Sequence, residues 1–131
     1  MPKKKMKKLI LLCVGLSLLS CYNQERQCTD FKTGKFEFEF EIDSIKKITV
    51  FERSDSLEIE TFEGKTDTSI VRWVNDCEYI LQKKHPKNRE EKKAIHMKIL
   101  STSKNSYTFE FGIVGSNSKQ IGTVKRISEN K

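Results

Sequence analysis

Phe36, Phe38, Phe40 and Ile42 alternate with Glu37, Glu39, Glu41 and Asp43. An unbroken period of two predicts a strand that buries one face and shows the other to water. Asp43-Ser44 is turn chemistry, so a second strand is expected over Lys47 to Arg53. Ser54-Asp55-Ser56 turns the chain again into Leu57, Ile59 and Thr61, whose alternation runs up to Gly64. Thr68 to Val74 and Cys77 to Lys83 form the next pair. Asn75-Asp76 between them suits a two-residue hairpin loop, because both residue types tolerate positive φ. After a polar stretch from His85 to Lys93, the residues Ile95, Met97 and Ile99 alternate within Ala94 to Ser101. Lys104-Asn105-Ser106 then turns into Tyr107, Phe109, Phe111 and Ile113, and Gly115-Ser116-Asn117-Ser118 introduces a last strand over Gln120 to Ile127.

The expected fold is therefore all-β, an antiparallel meander of about eight strands that forms either a small up-and-down barrel or a strongly curled open sheet. No segment has a strong helical period. Asn88 and Glu91 carry the spacing of a capping box and leave room for one short helical turn in the 85–93 loop. Five of the eight Phe residues, Phe36, Phe38, Phe40, Phe109 and Phe111, lie on two strands. If the first and last strands close the sheet, those rings meet, either as core filling or as the lining of an apolar pocket.

The central hairpin carries the candidate sites. A loop of Asn75-Asp76 sets Val74 opposite Cys77, Trp73 opposite Glu78 and Arg72 opposite Tyr79. One face then holds Ile70, Arg72, Val74, Cys77, Tyr79 and Leu81, and the other holds Val71, Trp73, Glu78 and Ile80. With the cysteine face inside, Arg72 enters the interior beside a phenol. A buried guanidinium needs a carboxylate, an aromatic face or an anionic ligand, so Arg72 and Tyr79 are the candidate ligand-binding residues. Val71, Trp73 and Ile80 would then form an outward apolar patch for a protein partner.

The first residues of the 131-residue chain read as an export signal. Met1 to Lys8 is cationic and Leu9 to Leu19 is apolar; eleven residues reach about 16 Å, short of a hydrocarbon core of about 30 Å. The segment ends Leu18-Leu19-Ser20-Cys21, which resembles the bacterial lipobox. That resemblance implies a signal peptide over 1–20, acylation of Cys21, and a lipidated tether over 21–27 ahead of a single β domain over 28–131. It also implies attachment to the cell envelope; with Tyr22 rather than Asp after the cysteine, an outer-membrane lipoprotein is expected. An ordinary secretory signal usually ends in a small-x-small triplet, and Leu18 breaks that pattern.

This division changes the charge picture. The formal net charge is +7, from 25 Lys and Arg against 18 Asp and Glu, but Lys3, Lys4, Lys5, Lys7 and Lys8 lie in the signal. The remainder carries 20 basic and 18 acidic residues, interspersed, with no basic stripe for phosphates, so no nucleic-acid partner is expected. Of the four cysteines, Cys13 leaves with the signal and Cys21 takes the lipid. Cys28 and Cys77 are left to form a disulfide in an oxidising compartment or to remain as two buried thiols. His85 and His96 have no Cys or His at ligand spacing, so neither a metal nor another cofactor is expected.

Cys28-Thr29-Asp30-Phe31-Lys32-Thr33-Gly34-Lys35-Phe36 and Trp73-Val74-Asn75-Asp76-Cys77-Glu78-Tyr79 resemble a family of short bacterial envelope lipoproteins of uncharacterised function. Members are sometimes labelled DNA topoisomerase IV. The residues here do not support that reaction, which needs a tyrosine nucleophile in a DNA-gripping domain, an acidic magnesium cluster and large moving gates. Gly34-Lys35-Phe36 also resembles the Gly-x-Trp opening of lipocalins, with Phe36 in place of Trp. There is no Gly-x-Ser-x-Gly and no Cys and His pair at usable register, and the abundant carboxylates alternate outward along a strand, so a non-enzymatic role is expected. The first expectation is an accessory or scaffold component acting on an envelope protein partner; the alternative is a lipocalin-like carrier of a small apolar or anionic ligand.

Overall fold

A computed structural model describes residues 26–128. The signal-peptide assignment, Cys21 and most of the tether lie outside the described residues. The chain opens with a 3-10 turn at Cys28–Phe31, followed by β1 (Gly34–Ile42), β2 (Ile45–Arg53), β3 (Leu57–Phe62), β4 (Lys65–Asn75), β5 (Glu78–Lys83), β6 (Ile95–Thr102), β7 (Ser106–Ile113) and β8 (Gln120–Ser128). All neighbours are antiparallel, in sequence order, and β1 pairs with β8 to close a barrel. Of the two architectures open to the sequence, the barrel is the one formed. Phe36 lies opposite Arg126 and Phe38 opposite Val124 across the closure.

Turn chemistry sets the ring. Asp43 and Ser44 have φ of 52° and 65° and join Ile42 to its partner Ile45, the geometry that matches the twist of a tight hairpin. Glu63 and Gly64 do the same between Phe62 and Lys65. In the 85–93 loop the Asn88 side chain accepts the Glu91 N–H and the Glu91 carboxylate accepts the Lys87 N–H. The capping contacts form, but the segment is a hydrogen-bonded turn and not a helix.

The interior is divided along the barrel axis. One end is plugged by the 3-10 turn, whose Phe31 ring lies 5.2 Å from Tyr107 and 6.4 Å from Phe36. Phe36, Phe51, Ile99, Tyr107, Phe109 and Val124 pack with it as the buried core. The plug is held by the Cys28–Cys77 disulfide, by Lys32 on Asp76 at 3.0 Å, and by the Gln27 N–H on Thr102. Arg126 stacks on the Phe31 ring and donates to the Asp30 carbonyl. Outward on β1 stand Lys35, Glu37, Glu39 and Glu41, a charged face on that strand. Among the described residues no helix is long and apolar enough to cross a membrane.

The central hairpin departs from its expected register. Its loop is Asp76-Cys77, closed by Asn75 opposite Glu78, and Val74 is a bulge. The Asn75 side chain accepts the Cys77 N–H at 2.9 Å, which fixes the turn one residue later than Asn75-Asp76 would. Because a bulge inserts one residue into one strand only, it inverts the parity of β4 while leaving β5 as expected. Tyr79 and Leu81 point inward as anticipated, but their neighbours are Trp73 and Val71. Arg72 pairs with Ile80 on the outside.

Candidate binding cavity

Beyond the plugged half, the barrel opens. An inner cavity of about 170 Å³ is lined by Phe38, Thr49, Phe51, Tyr79, Leu81, Met97, Phe109 and Phe111, with Glu58, Glu60 and Ile95 toward the mouth. Glu58, Glu60, Leu81 and Ile95 also line a mouth of about 470 Å³, which Asp67, Lys83, Glu90, Glu91 and Lys93 ring with charge. A third hollow of about 590 Å³ lies along the wall between β1 and β8, and shares Phe38 and Phe111 with the inner cavity.

The aromatic walls follow from the alternation of β1 and β7. Phe38 stacks on Phe40 at 5.7 Å and meets Phe109 edge-on at 5.5 Å, while Phe40 reaches Phe62 at 5.5 Å and Phe109 reaches Phe111 at 5.4 Å. Such offset and edge contacts suit the ring quadrupoles and hold the rings in place. Gly122 on β8 is required for this packing, since a Cβ there would fall 2.8 Å from the Phe38 ring.

The floor is polar chemistry sealed from water. Arg53, fully buried, donates to Glu58 Oε2 at 2.9 Å, to the Phe31 carbonyl at 2.8 Å, and to the hydroxyls of Tyr79 and Tyr107 at 2.7 and 2.9 Å. Its guanidinium also sits 4.6 Å from the Tyr79 ring. Burial works against the charge, but the Tyr107 and Tyr79 hydroxyl oxygens that accept from it and the Glu58 carboxylate outweigh it and hold the Arg53 pKa above its ordinary value. Burial raises the pKa of both phenols, so Tyr79 and Tyr107 stay neutral. The network is satisfied internally and has the character of a structural keystone under the cavity.

At the mouth, Asp67 is held below the ordinary carboxylate range by its hydrogen bond to Lys83, at 2.6 Å. Lys83 is raised by the same bond and also reaches Glu91 at 3.2 Å. Lys93 pairs with Glu90 at 3.0 Å. Glu60 is exposed at the mouth, yet partial desolvation against the cavity walls, followed by repulsion from Glu58, pushes its carboxyl up.

The residues singled out from the sequence thus fall apart as a group. Arg72 is exposed and faces away from Tyr79, so the two form no joint site; a guanidinium does meet Tyr79 in the interior, but it is Arg53. Val71 is buried and Trp73 packs inward, 4.6 Å from the Tyr79 ring, so only Ile80 of the expected outward patch faces out. Cys28 and Cys77 are bonded. The sequence pattern does not single out Arg53, Glu58 or Glu60. Parity held a signal for Arg53, which shares a face with Phe51. For β3 parity misleads: Glu58 and Glu60 turn inward while Ile59 points out.

Among the described residues, no three His, Cys, Asp or Glu side chains converge as a metal site requires. In comparisons with known proteins, no family model, no curated protein and no solved structure matches the chain.

Proposed function

We propose that this is a lipid-anchored envelope protein whose barrel carries a small ligand, with the apolar part of that ligand in the inner cavity and its polar part at the mouth. The observation that carries the reading is the open apolar cavity above a sealed polar floor. A barrel of eight strands is wide enough either to fill with side chains or to hold one small molecule. Here one half is filled and the other is not. The scaffold reading leaned on Trp73 as an outward anchor, and the inward position of that ring leaves it less support.

Native mass spectrometry of the protein purified from its own envelope tests the proposal. A co-purifying small molecule released on unfolding is the expected result. A bare chain that also fails to take up a fluorescent apolar probe would return the choice to a protein-contact role. The anchor is tested separately: Cys21→Ser should abolish acylation and release the protein from the membrane, and an unacylated Cys21 in the intact mass of the native protein would refute it.

A further inference from the structure

β3 is inside out. Its apolar Ile59 faces solvent while the buried Glu58 and the more exposed Glu60 line the barrel cavity, and a buried carboxylate has to be matched by a positive charge. Glu58 is matched by Arg53. Asp67 and Glu91 are matched by Lys83, and Glu90 by Lys93. Glu60, accessible to water at the open mouth, has no hydrogen bond or ion pair among the described residues, and the positive charge that acts on it, Lys83, is already bonded to Asp67 and Glu91. Glu60 stands directly opposite Asp67 across the β3–β4 ladder and opposite Phe51 across the β2–β3 ladder. Like charges directly opposite on a ladder are destabilising, so the chain maintains this carboxylate at a cost.

Glu60 also lies at the junction of the two spaces, lining both the apolar cavity and the charged mouth. We propose that the barrel binds an apolar organic cation, seating a hydrophobic group of about six carbons in the inner cavity and its ammonium or guanidinium charge on Glu60. The proposal rests on the carrier reading and gives its ligand a chemical class. The size follows from volume, since an apolar cavity of about 150 Å³ takes up benzene. The sign follows from the rim, where the lysines are already paired and the unmatched charge is negative. A metal cation fits poorly, because the carboxylates do not converge. An ammonium entering here would also approach the faces of aromatic walls, which attract cations. The raised pKa of Glu60 agrees: a bound cation would draw it back down, so binding should weaken on acidification.

The test compares 2-phenylethylammonium, 2-phenylethanol and phenylacetate by calorimetry on the full chain and on its Glu60→Gln variant, at neutral pH and low salt. The expected order is the amine at least tenfold tighter than the alcohol, with phenylacetate weakest. Glu60→Gln should erase the amine's advantage, keep the alcohol within about twofold, and leave the thermal midpoint unchanged or higher because repulsion with Asp67 is relieved. An alcohol or phenylacetate bound as tightly as the amine by the unaltered protein, or a preference for the amine that survives in Glu60→Gln, overturns the cation assignment while the carrier reading stands. Failure of all three compounds and of a fluorescent apolar probe to bind overturns the carrier reading itself.

Discussion

The guanidinium of Arg53 on β2 donates to the hydroxyl of Tyr79 on β5 at 2.7 Å, joining strands on different sides of the ring through the middle of the barrel. Arg53 and Glu58 are also direct cross-strand partners, so a charge pair within one ladder becomes the hub for β2, β3, β5, β7 and the plug. Breaking a buried pair from one side leaves the other charge unmatched. Arg53→Met and Glu58→Gln should each destabilise folding by about 3 to 5 kcal/mol, measured by urea unfolding, and the double variant Arg53→Met with Glu58→Met should cost less than either cost added together. Tyr79→Phe removes one acceptor and should cost about 1 to 3 kcal/mol.

Trp73 is the sole tryptophan, so its emission reports one site. It should be blue-shifted and protected from acrylamide in the isolated monomer. Trp73→Ala should cost about 3 to 5 kcal/mol of stability. The indole N–H finds no acceptor, so Trp73→Phe should cost much less, because it removes an unsatisfied donor along with the lost area.

Reduction of Cys28–Cys77 should lower the thermal midpoint. On the chain-entropy account a closed loop of this length, with the cysteines 49 residues apart, stabilises by roughly 4 kcal/mol. Hydrogen exchange should show protection lost first in the Cys28–Phe31 turn and around Asp76. Equal protection with and without reductant would contradict the role of the bond in holding the plug.

Most of the architecture was legible because it is written in period-two patterns. Phe36, Phe38 and Phe40 point in, and Glu37, Glu39 and Glu41 point out or lie part-buried on the outer wall, as the alternation requires. The sequence places the hairpin loop one residue early because Asn75 and Asp76 both tolerate a turn, and only the bond from Cys77 N–H to the Asn75 side chain distinguishes the two loops. That single residue decides whether Arg72 or Trp73 enters the barrel. Parity on β2 puts Arg53 on the same inward face as Phe51, but what makes its burial tolerable is not in that strand: its neutralising partner is on β3 and its phenols are on β5 and β7, and pattern within one strand carries no information about a cross-barrel network. The candidate site was least legible, since Glu58 and Glu60 occupy the face that hydrophobicity assigns to Leu57 and Ile59.

Gly122→Ala should be disruptive out of proportion to one methyl group. The added Cβ would lie 2.8 Å from Phe38 and 3.0 Å from Phe109, and both rings are already fixed by neighbouring aromatics. Overpacking should cost about 1 to 3 kcal/mol in chemical unfolding. Displacement of Phe38 should also weaken uptake of an apolar probe, because that ring lines the cavity.

The mouth loop should loosen at both extremes of pH. Asp67 has a folded pKa below its ordinary value, so its contribution is complete above the ordinary carboxylate range and is lost as pH falls through the lowered pKa. Lys83 has a folded pKa above its ordinary value, so its contribution is complete below the ordinary lysine range and is lost as pH rises through the raised pKa. Amide exchange in residues 84–94 should therefore accelerate, relative to the intrinsic rate, in strong acid and in strong base. Lys83→Met should abolish the basic limb and weaken the acid one, which persists in part because the Glu91 carboxylate still accepts the Lys87 N–H.

Closing the ring brings Phe36 against Arg126, and the chain between them must be organised before that ladder can reward the encounter. Contacts this distant in sequence make for slow folding, because loop-closure entropy is spent early and returned late. The Cys28–Cys77 bond shortens that search. In the oxidised unfolded chain the segment that becomes the plug is already beside the turn between β4 and β5, and the strands from β1 to β4 are confined to a closed loop. The half of the barrel that becomes a solid core is the half so confined at its end, leaving the mouth, with its loop and charged rim, to be assembled on a base already gathered.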